Sequence, residues 1–242
     1  MWSVFKKETS VLLNSMVAYM AIVVFLTFIG LFLWVIPDTS LFESGFADLD
    51  TMFYLGPLAF MLLIPAITMR SFAEEKKDGT IELLLTKPIS DWDIILGKFF
   101  SSGAIVLVAL IPTVIYYVSV YMLGKPVGNI DSAAVFTSYI GLLFMGLVFV
   151  SIGIFSSVVS NNQVVSFILS LLLSYVWYKG LNDFASIDLW QGSAVFLKSL
   201  SLDYHYLALS KGVVDARNVF YFLTIITVML GLTKLKLGSR NW

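Results

Sequence analysis

The feature that most constrains this chain is a set of five long stretches without a single charged residue. They are Thr9–Pro37, Thr51–Met69, Phe99–Gly124, Ser132–Tyr178 and Asn218–Thr233, with 29, 19, 26, 47 and 16 residues. A membrane-spanning helix needs about 20 mostly apolar residues, because the hydrocarbon core of a bilayer is roughly 30 Å thick. A charged side chain at that depth costs at least about 2.5 kcal/mol. The stretches therefore predict an all-α membrane protein.

The longest stretch has room for two spans. It is interrupted by the polar tetrapeptide Ser160–Gln163, which is suited to a tight turn. We therefore predict six spans, near residues 16–36, 52–69, 99–123, 135–158, 164–178 and 219–234. Charged residues make up only 13% of the chain, against about 25% in soluble domains. We expect one membrane domain over residues 1–242, with no room for an ATPase domain of ordinary size.

The lysines and arginines near the span ends predict the orientation. With the N-terminus in the cytoplasm, ten of these residues lie on the cytoplasmic side and five lie outside. The first outer loop, residues 38–50, has four acidic residues and no basic residue. We therefore predict that both termini are cytoplasmic.

The residues before the first span predict an amphipathic helix within residues 1–14. Five residues fall near helical spacing, with Lys6 and Lys7 between them: Trp2, Phe5, Thr9, Leu12 and Leu13. Such a helix is suited to the cytoplasmic membrane interface. The apolar run that follows exceeds 20 residues and has no small-residue cleavage site after it. We expect a retained anchor and not a cleaved signal peptide.

The outer segment 179–217 is too long for a simple loop. Its apolar residues alternate with polar ones and predict short amphipathic helices at the outer interface; they are Leu181, Phe184, Leu189, Trp190, Phe196, Leu197, Leu200 and Leu202. His205, the one histidine of the chain, has no companion metal ligands, so we expect no metal or catalytic role for it.

Small residues recur every four positions in the fourth and fifth spans. They are Gly153 and Ser157 in the fourth span, and Ser166, Ser170 and Ser174 in the fifth. Small residues at this spacing let membrane helices approach closely. We predict tight helix packing there, and a polar lining of a transport pathway is the alternative.

More than a third of the charged residues lie in the 29-residue segment Arg70–Lys98, which we call the polar island. We expect span 2 to continue as a helix to about Lys76. The sequence Asp78-Gly79-Thr80 then predicts a turn that leads into a short helix, Ile81–Thr86, with Asp78 or Thr80 as its N-cap. That helix ends before Pro88, because the residue before a proline disfavours the helical conformation. Ser90 is suited to cap the next helix, which leads into span 3 with two acidic residues at its positive end.

The short helix of the island has an apolar stripe formed by Ile81, Leu84 and Leu85. That stripe either enters a groove of a soluble partner or packs under the protein's own bundle. The residues alone leave both alternatives open.

The island resembles the coupling region of ABC-2-type transporter permeases. The resemblance is carried by EEKKDGTIELLLTKPIS, which follows Pro65 and Arg70, and by Tyr204–Asp215 with Val219–Leu223 before the last span. Within that family the chain is most similar to the gliding-motility-associated permeases of Bacteroidetes, and nitrous-oxide maturation permeases are also similar. The resemblance covers the whole chain and implies a bacterial inner-membrane permease.

In that family the island carries the helix that enters a groove of a separate ATPase subunit. Carried over by position, the docking element comprises Glu75, Gly79, Thr80, Glu82, Leu83, Leu84, Leu85, Thr86 and Pro88; the apolar stripe adds Ile81. The implied partners are the ABC ATPase, a second permease that is the same or a different chain, and the bilayer. ATP and Mg²⁺ would belong to the ATPase, and no cofactor is expected here. The net charge of −1 gives no basic patch for a nucleic acid.

Other classes of function fit the residues less well. The chain has no G-x-x-x-x-G-K-[ST] motif, so it has no P-loop for ATP. Ion-coupled carriers usually place acidic residues or histidines at membrane depth, and the charge-free stretches argue against such a carrier. A carrier whose Na⁺ site is built from carbonyls and hydroxyls stays an alternative. An intramembrane enzyme would need a nucleophile with a base or paired acids, and the spans show neither. A non-transporting membrane anchor or mechanotransmission component stays open.

Overall fold

The structure, a computed structural model, describes residues 1–81, 89–186, 192 and 194–239. Within these residues the regular elements are helices, and none is a strand. Six helical segments are long and apolar enough to cross a membrane: Met16–Trp34, Asp50–Lys77, Asp91–Leu123, Ser132–Val159, Gln163–Ala185 and Ala216–Gly238. The predicted all-α fold with six spans is confirmed.

The helices are numbered in chain order. They are α1 Trp2–Leu13, α2 Met16–Trp34, α3 Leu41–Ser44, α4 Asp50–Thr68, α5 Arg70–Lys77, α6 Asp91–Leu110, α7 Val114–Leu123, α8 Ser132–Val159, α9 Gln163–Tyr175, α10 Leu181–Ala185, α11 Ala194–Ser199, α12 Leu202–Leu209 and α13 Ala216–Gly238. Span 2 comprises α4 and α5, and span 3 comprises α6 and α7. Span 5 comprises α9, a π-helical turn at Val176–Gly180, and α10.

Span 3 begins well before the charge-free stretch because Ser90 caps α6. The Asp93 N–H donates to Ser90 Oγ at 3.2 Å, and the Ser90 hydroxyl donates to Asp93 Oδ2 at 2.7 Å. Pro112 lies in the 3₁₀ turn Ile111–Thr113 that separates α6 from α7, as expected for a residue without a backbone N–H.

Span 6 is longer than the predicted 219–234 and runs over 23 residues as α13. It starts earlier because Asp215 Oδ1 caps it by accepting from the Arg217 N–H at 2.8 Å. It ends later because Lys234 and Lys236 are helical and long basic side chains at a helix end can extend toward the interface. Counting only uncharged residues therefore underestimated its length.

The break between spans 4 and 5 lies at the predicted polar tetrapeptide. Ser160 Oγ accepts from the Asn162 N–H at 3.0 Å, and Asn162 Oδ1 caps α9 by accepting from the Val164 N–H at 2.8 Å. These side chains satisfy the backbone donors that a helix start leaves without partners. The fourth and fifth spans thus form a tight helical hairpin.

Helix α8 is the centre of the bundle. It packs against α4, α6, α9, α12 and α13. Of its 18 most apolar consecutive residues 72% are buried, against 28% in spans 1 and 5. Met145, Phe149 and Ile152 are fully buried in the core around it. Spans 1 and 5 therefore lie at the periphery of the bundle.

Helix α1 lies beside α6 and contacts it through a face that includes Val4. Val4 and Glu8 are its buried residues, whereas Trp2 is 72% exposed. Gly97 makes the contact close, because a Cβ added there would lie 2.7 Å from Val4 Cγ1. Of the predicted stripe, Trp2 and Leu13 are exposed and Phe5, Thr9 and Leu12 are half-buried. The place of α1 at the membrane interface stays a prediction.

Span 5 runs to Ala185, so the predicted segment 179–217 begins inside it. The rest of that segment contains the short helices α11 and α12; Leu189 and Trp190 lie outside the described residues. The His205 ring lies between α12 and its neighbours: Nδ1 is 2.7 Å from Asn218 Oδ1, and Nε2 is 2.8 Å from the Ser199 carbonyl oxygen. The ring also stacks on Tyr221, with 3.9 Å between centroids. The histidine thus ties α12 to α11 and α13.

Candidate functional site

The described residues of the polar island lie at the same end of the bundle as the N-terminus and the end of span 6. The Met1 ammonium is 2.9 Å from Asp93 Oδ1 at the start of α6. Lys234 Nζ, near the end of α13, lies 5.1 Å from the centre of the Trp92 ring. These contacts gather α1, α6 and α13 around the island.

The junction between α4 and α5 is held by one buried hydroxyl from α8. The N–H groups of Phe72 and Ala73 both donate to Ser157 Oγ, at 2.9 and 3.0 Å. The Ser157 hydroxyl in turn donates to the Met69 carbonyl at 3.1 Å. Ser157 is fully buried, so span 4 is bonded directly to the backbone of the island's first helix.

One turn earlier on α8, Gly153 lets spans 2 and 4 touch. A Cβ added to Gly153 would lie 2.0 Å from Thr68 Oγ1 and 2.8 Å from Thr68 Cβ. Thr68 is fully buried, and its hydroxyl donates to the Ile64 carbonyl at 2.9 Å. This contact agrees with the tight packing predicted for Gly153.

On its other side α5 is held by a buried lysine from α6. Lys98 is 1% exposed, and its Nζ donates to the Ser71 carbonyl at 2.6 Å and to Glu75 Oε1 at 2.9 Å. The same Nζ lies 3.4 Å from Glu8 Oε1 on α1. A buried ammonium needs such partners because an isolated charge in the interior is costly. Lys98 therefore joins α1, α5 and α6.

Lys7 completes this charge cluster from the solvent side. Its Nζ lies 3.3 Å from Glu8 Oε1 and 3.8 Å from Glu75 Oε1, and its side chain is 56% exposed. Two cations thus face two carboxylates, with Lys98 at the buried centre and Lys7 at the rim. Lys76 adds a further link on the α8 side by donating to the Val158 carbonyl.

A family model for ABC-2 family transporter proteins matches residues 2–237. The chain belongs to the ABC-2 transporter family. A comparison with curated proteins found no significant match. Family membership makes the chain a multi-pass membrane protein of the ABC permease type, and it implies an ABC ATPase as partner.

The described part of this ABC-2 permease includes the start of the predicted docking element. Gly79 has a φ of +68° and follows the last turn of α5, where a left-handed residue commonly ends a helix. Thr80 and Ile81 are already helical, so the new helix begins one residue earlier than predicted and Thr80 is inside it. Glu82, Leu83, Leu84, Leu85, Thr86 and Pro88 lie outside the described residues.

Glu75 faces inward toward Lys98, with 17% of its side chain exposed. The family resemblance places Glu75 among the docking residues, and the structure gives it this internal partner in addition. The buried roles of Ser157 and Lys98 at the junction were missed by sequence reasoning. For Lys98 a signal existed, because it lies three and four residues after Ile95 and Ile94, which are fully buried on the same helix face.

Proposed function

We propose that this chain is the permease subunit of an ATP-driven ABC-2 exporter, and that a separate ATPase docks on the island helix predicted at Ile81–Thr86. ATP hydrolysis in that partner would move the docked helix, and the spans would rearrange to export a substrate. ATP and Mg²⁺ would be held by the partner. Family membership supports the permease role, and the geometry of α5 supports the coupling.

The observation that carries this proposal is that α5 is bonded to two other spans. Ser157 links it to span 4 and Lys98 links it to span 3, while its own chain continues from span 2. Buried hydrogen bonds are costly to break because each unpaired group loses its solvation. A displacement applied just after Gly79 therefore acts on the bonds to spans 3 and 4 as well as on span 2, which is what a coupling element requires.

The docking proposal predicts that an ABC ATPase co-purifies with the unaltered protein and is lost when Leu84→Asp and Leu85→Asp are combined. Two carboxylates on the apolar stripe would have to be buried unpaired in the ATPase groove, so we expect at least a tenfold loss of captured ATPase. The measurement is affinity purification from the native membrane with quantitative detection of the ATPase.

The matched control is the pair Val213→Asp and Val214→Asp, two adjacent valines that are 68% and 48% exposed in the outer segment. This pair is expected to retain the ATPase. Absence of any ATPase from the unaltered protein would contradict the proposal, as would equal capture by the docking variant.

We further propose that the protein lies in a bacterial inner membrane with both termini and the island in the cytoplasm. The distribution of basic residues supports this orientation, as does the clustering of the island with the N-terminus and α13. The chain has no cysteine, so single cysteines can be labelled without interference. From outside the cell, Asp48→Cys is expected to react with an impermeant maleimide and Asn161→Cys is expected to stay unlabelled; the opposite pattern would reverse the topology.

For the second permease we propose a different chain of the same family, in a complex that serves gliding motility. The resemblance of the island to gliding-associated permeases supports this assignment. The lightly buried spans 1 and 5 leave apolar faces on which a second subunit can pack.

A further inference from the structure

The hydrogen-bond ladder of span 2 is interrupted where α4 meets α5, and a side chain of span 4 is inserted there. In an uninterrupted helix the N–H groups of Phe72 and Ala73 would bind the carbonyls of Thr68 and Met69. Here both donate to Ser157 Oγ, and the Met69 carbonyl accepts from the Ser157 hydroxyl. A side chain inserted into the ladder is one of the few established causes of a helix bend.

Other contacts hold α5 from both sides. The Ser71 carbonyl accepts from Lys98 Nζ at 2.6 Å, and Lys76 donates to the Val158 carbonyl. Helix α5 is therefore attached to spans 3 and 4 by side chains in addition to its bonds to Ser157.

The same junction has a second way to satisfy its backbone. If Ser157 moved away, the N–H groups of Phe72 and Ala73 would be in register with the carbonyls of Thr68 and Met69. Three bonds to one hydroxyl would then be exchanged for two backbone bonds. Leaving the buried Ser157 hydroxyl without these partners costs about 1–3 kcal/mol, so the arrangement with the closed ladder is the less stable one and needs a push to be populated. Packed elements with two such arrangements behave as switches.

The position of the pivot follows from the packing before it. Thr68 is fully buried and lies against Gly153, where not even a methyl group fits. This contact holds the end of α4 against α8. A movement of the island is therefore confined to the residues that follow Thr68.

We propose that Met69 marks a hinge in span 2 and that Ser157 is the positioning residue that holds the hydrogen-bond ladder open there. A push on the helix that begins at Thr80 would withdraw the Phe72 and Ala73 amides from Ser157 and close the ladder. The source of the push rests on the proposed ATPase docking, but the hinge is a property of the permease and can be tested without the ATPase.

The test is a spin-label distance measurement between Lys77→Cys on α5 and Asn161→Cys on the turn after α8, in the purified permease in lipid nanodiscs. Both positions are exposed. Ser157→Ala is expected to shift and broaden the distance distribution, because α5 loses its bond to α8.

The matched control is Ser156→Ala. Ser156 lies on the same helix and is equally buried, but its hydroxyl donates to the Ile152 carbonyl of its own helix at 2.9 Å. This variant is expected to give the unaltered distribution. An unchanged distribution in Ser157→Ala, or an equal shift in Ser156→Ala, would overturn the proposal.

A second measurement retains Ser157 and so does not depend on the folding of a variant. Adding the ATPase with a non-hydrolysable ATP analogue is expected to shift the same distance. An unchanged distance with the ATPase bound would refute the hinge. Failure of the ATPase to bind would refute the docking proposal, and the hinge would then be decided by the Ser157→Ala measurement.

Discussion

Replacing Lys98 with methionine is expected to lower the free energy of unfolding by about 3–5 kcal/mol, the usual cost of removing one partner of a buried ion pair. Methionine keeps much of the volume but leaves the carboxylates of Glu75 and Glu8 facing each other. The helices that Lys98 joins, α1 and α5, would then separate from α6. Chemical or thermal unfolding in detergent micelles measures the loss.

Lys7→Met provides the control for this prediction. Lys7 contacts the same two carboxylates, but it is 56% exposed, and exposed ion pairs contribute at most about 1 kcal/mol. Adding Glu75→Gln to Lys98→Met is expected to recover part of the stability, because it removes one of the unpaired charges. Equal losses in Lys98→Met and Lys7→Met would show that burial of the ammonium is not what stabilises the cluster.

Gly153→Ala is expected to destabilise the protein by about 1–3 kcal/mol, as overpacking commonly does. The new methyl group would overlap Thr68, whose Oγ1 and Cβ would lie 2.0 and 2.8 Å away. Because Thr68 is buried and its hydroxyl is bonded to the Ile64 carbonyl, it cannot simply rotate away. Spans 2 and 4 must then move apart, which a lower unfolding temperature would report.

Gly231→Ala is the matched substitution. Gly231 also lies inside a membrane-spanning helix, but apart from the neighbouring backbone of that helix nothing lies within 4 Å of the added Cβ. Alanine favours a helix over glycine by up to about 1 kcal/mol, so this variant is expected to be as stable as the unaltered protein or slightly more stable. Adding Thr68→Ala to Gly153→Ala is expected to recover part of the loss. Similar behaviour of the two single glycine variants would mean that spans 2 and 4 do not meet at Gly153.

The six spans could be predicted because a bilayer imposes a length and excludes charge, and both are visible in the order of residues. Local backbone chemistry was similarly accessible. Ser90 and the Ser160–Gln163 turn lie where their side-chain chemistry predicts, because a cap or a turn depends on residues close in the chain.

Contacts between distant residues could not be predicted in this way. Ser157 binds backbone groups about 85 residues earlier. The sequence does not distinguish it from the other serines of span 4, because their roles depend on how the helices pack. Lys98 was counted as a cytoplasmic charge, since a lysine at a span end is normally exposed. The length of span 6 was underestimated for a related reason. Whether Lys234 and Lys236 belong to the span depends on where the membrane interface lies, and the sequence alone does not give that position.

The central position of α8 has a consequence for how the protein is made. The ribosome delivers the spans to the membrane in sequence, and chains of this kind generally fold from the N-terminus onward. The first three spans are therefore inserted before the helix around which they pack exists. Neither Gly153 nor Ser157 is in place until translation has passed the fourth span, so α5 has no attachment to α8 before that point. The packing of the spans around α8 is thus completed late in the synthesis of the protein.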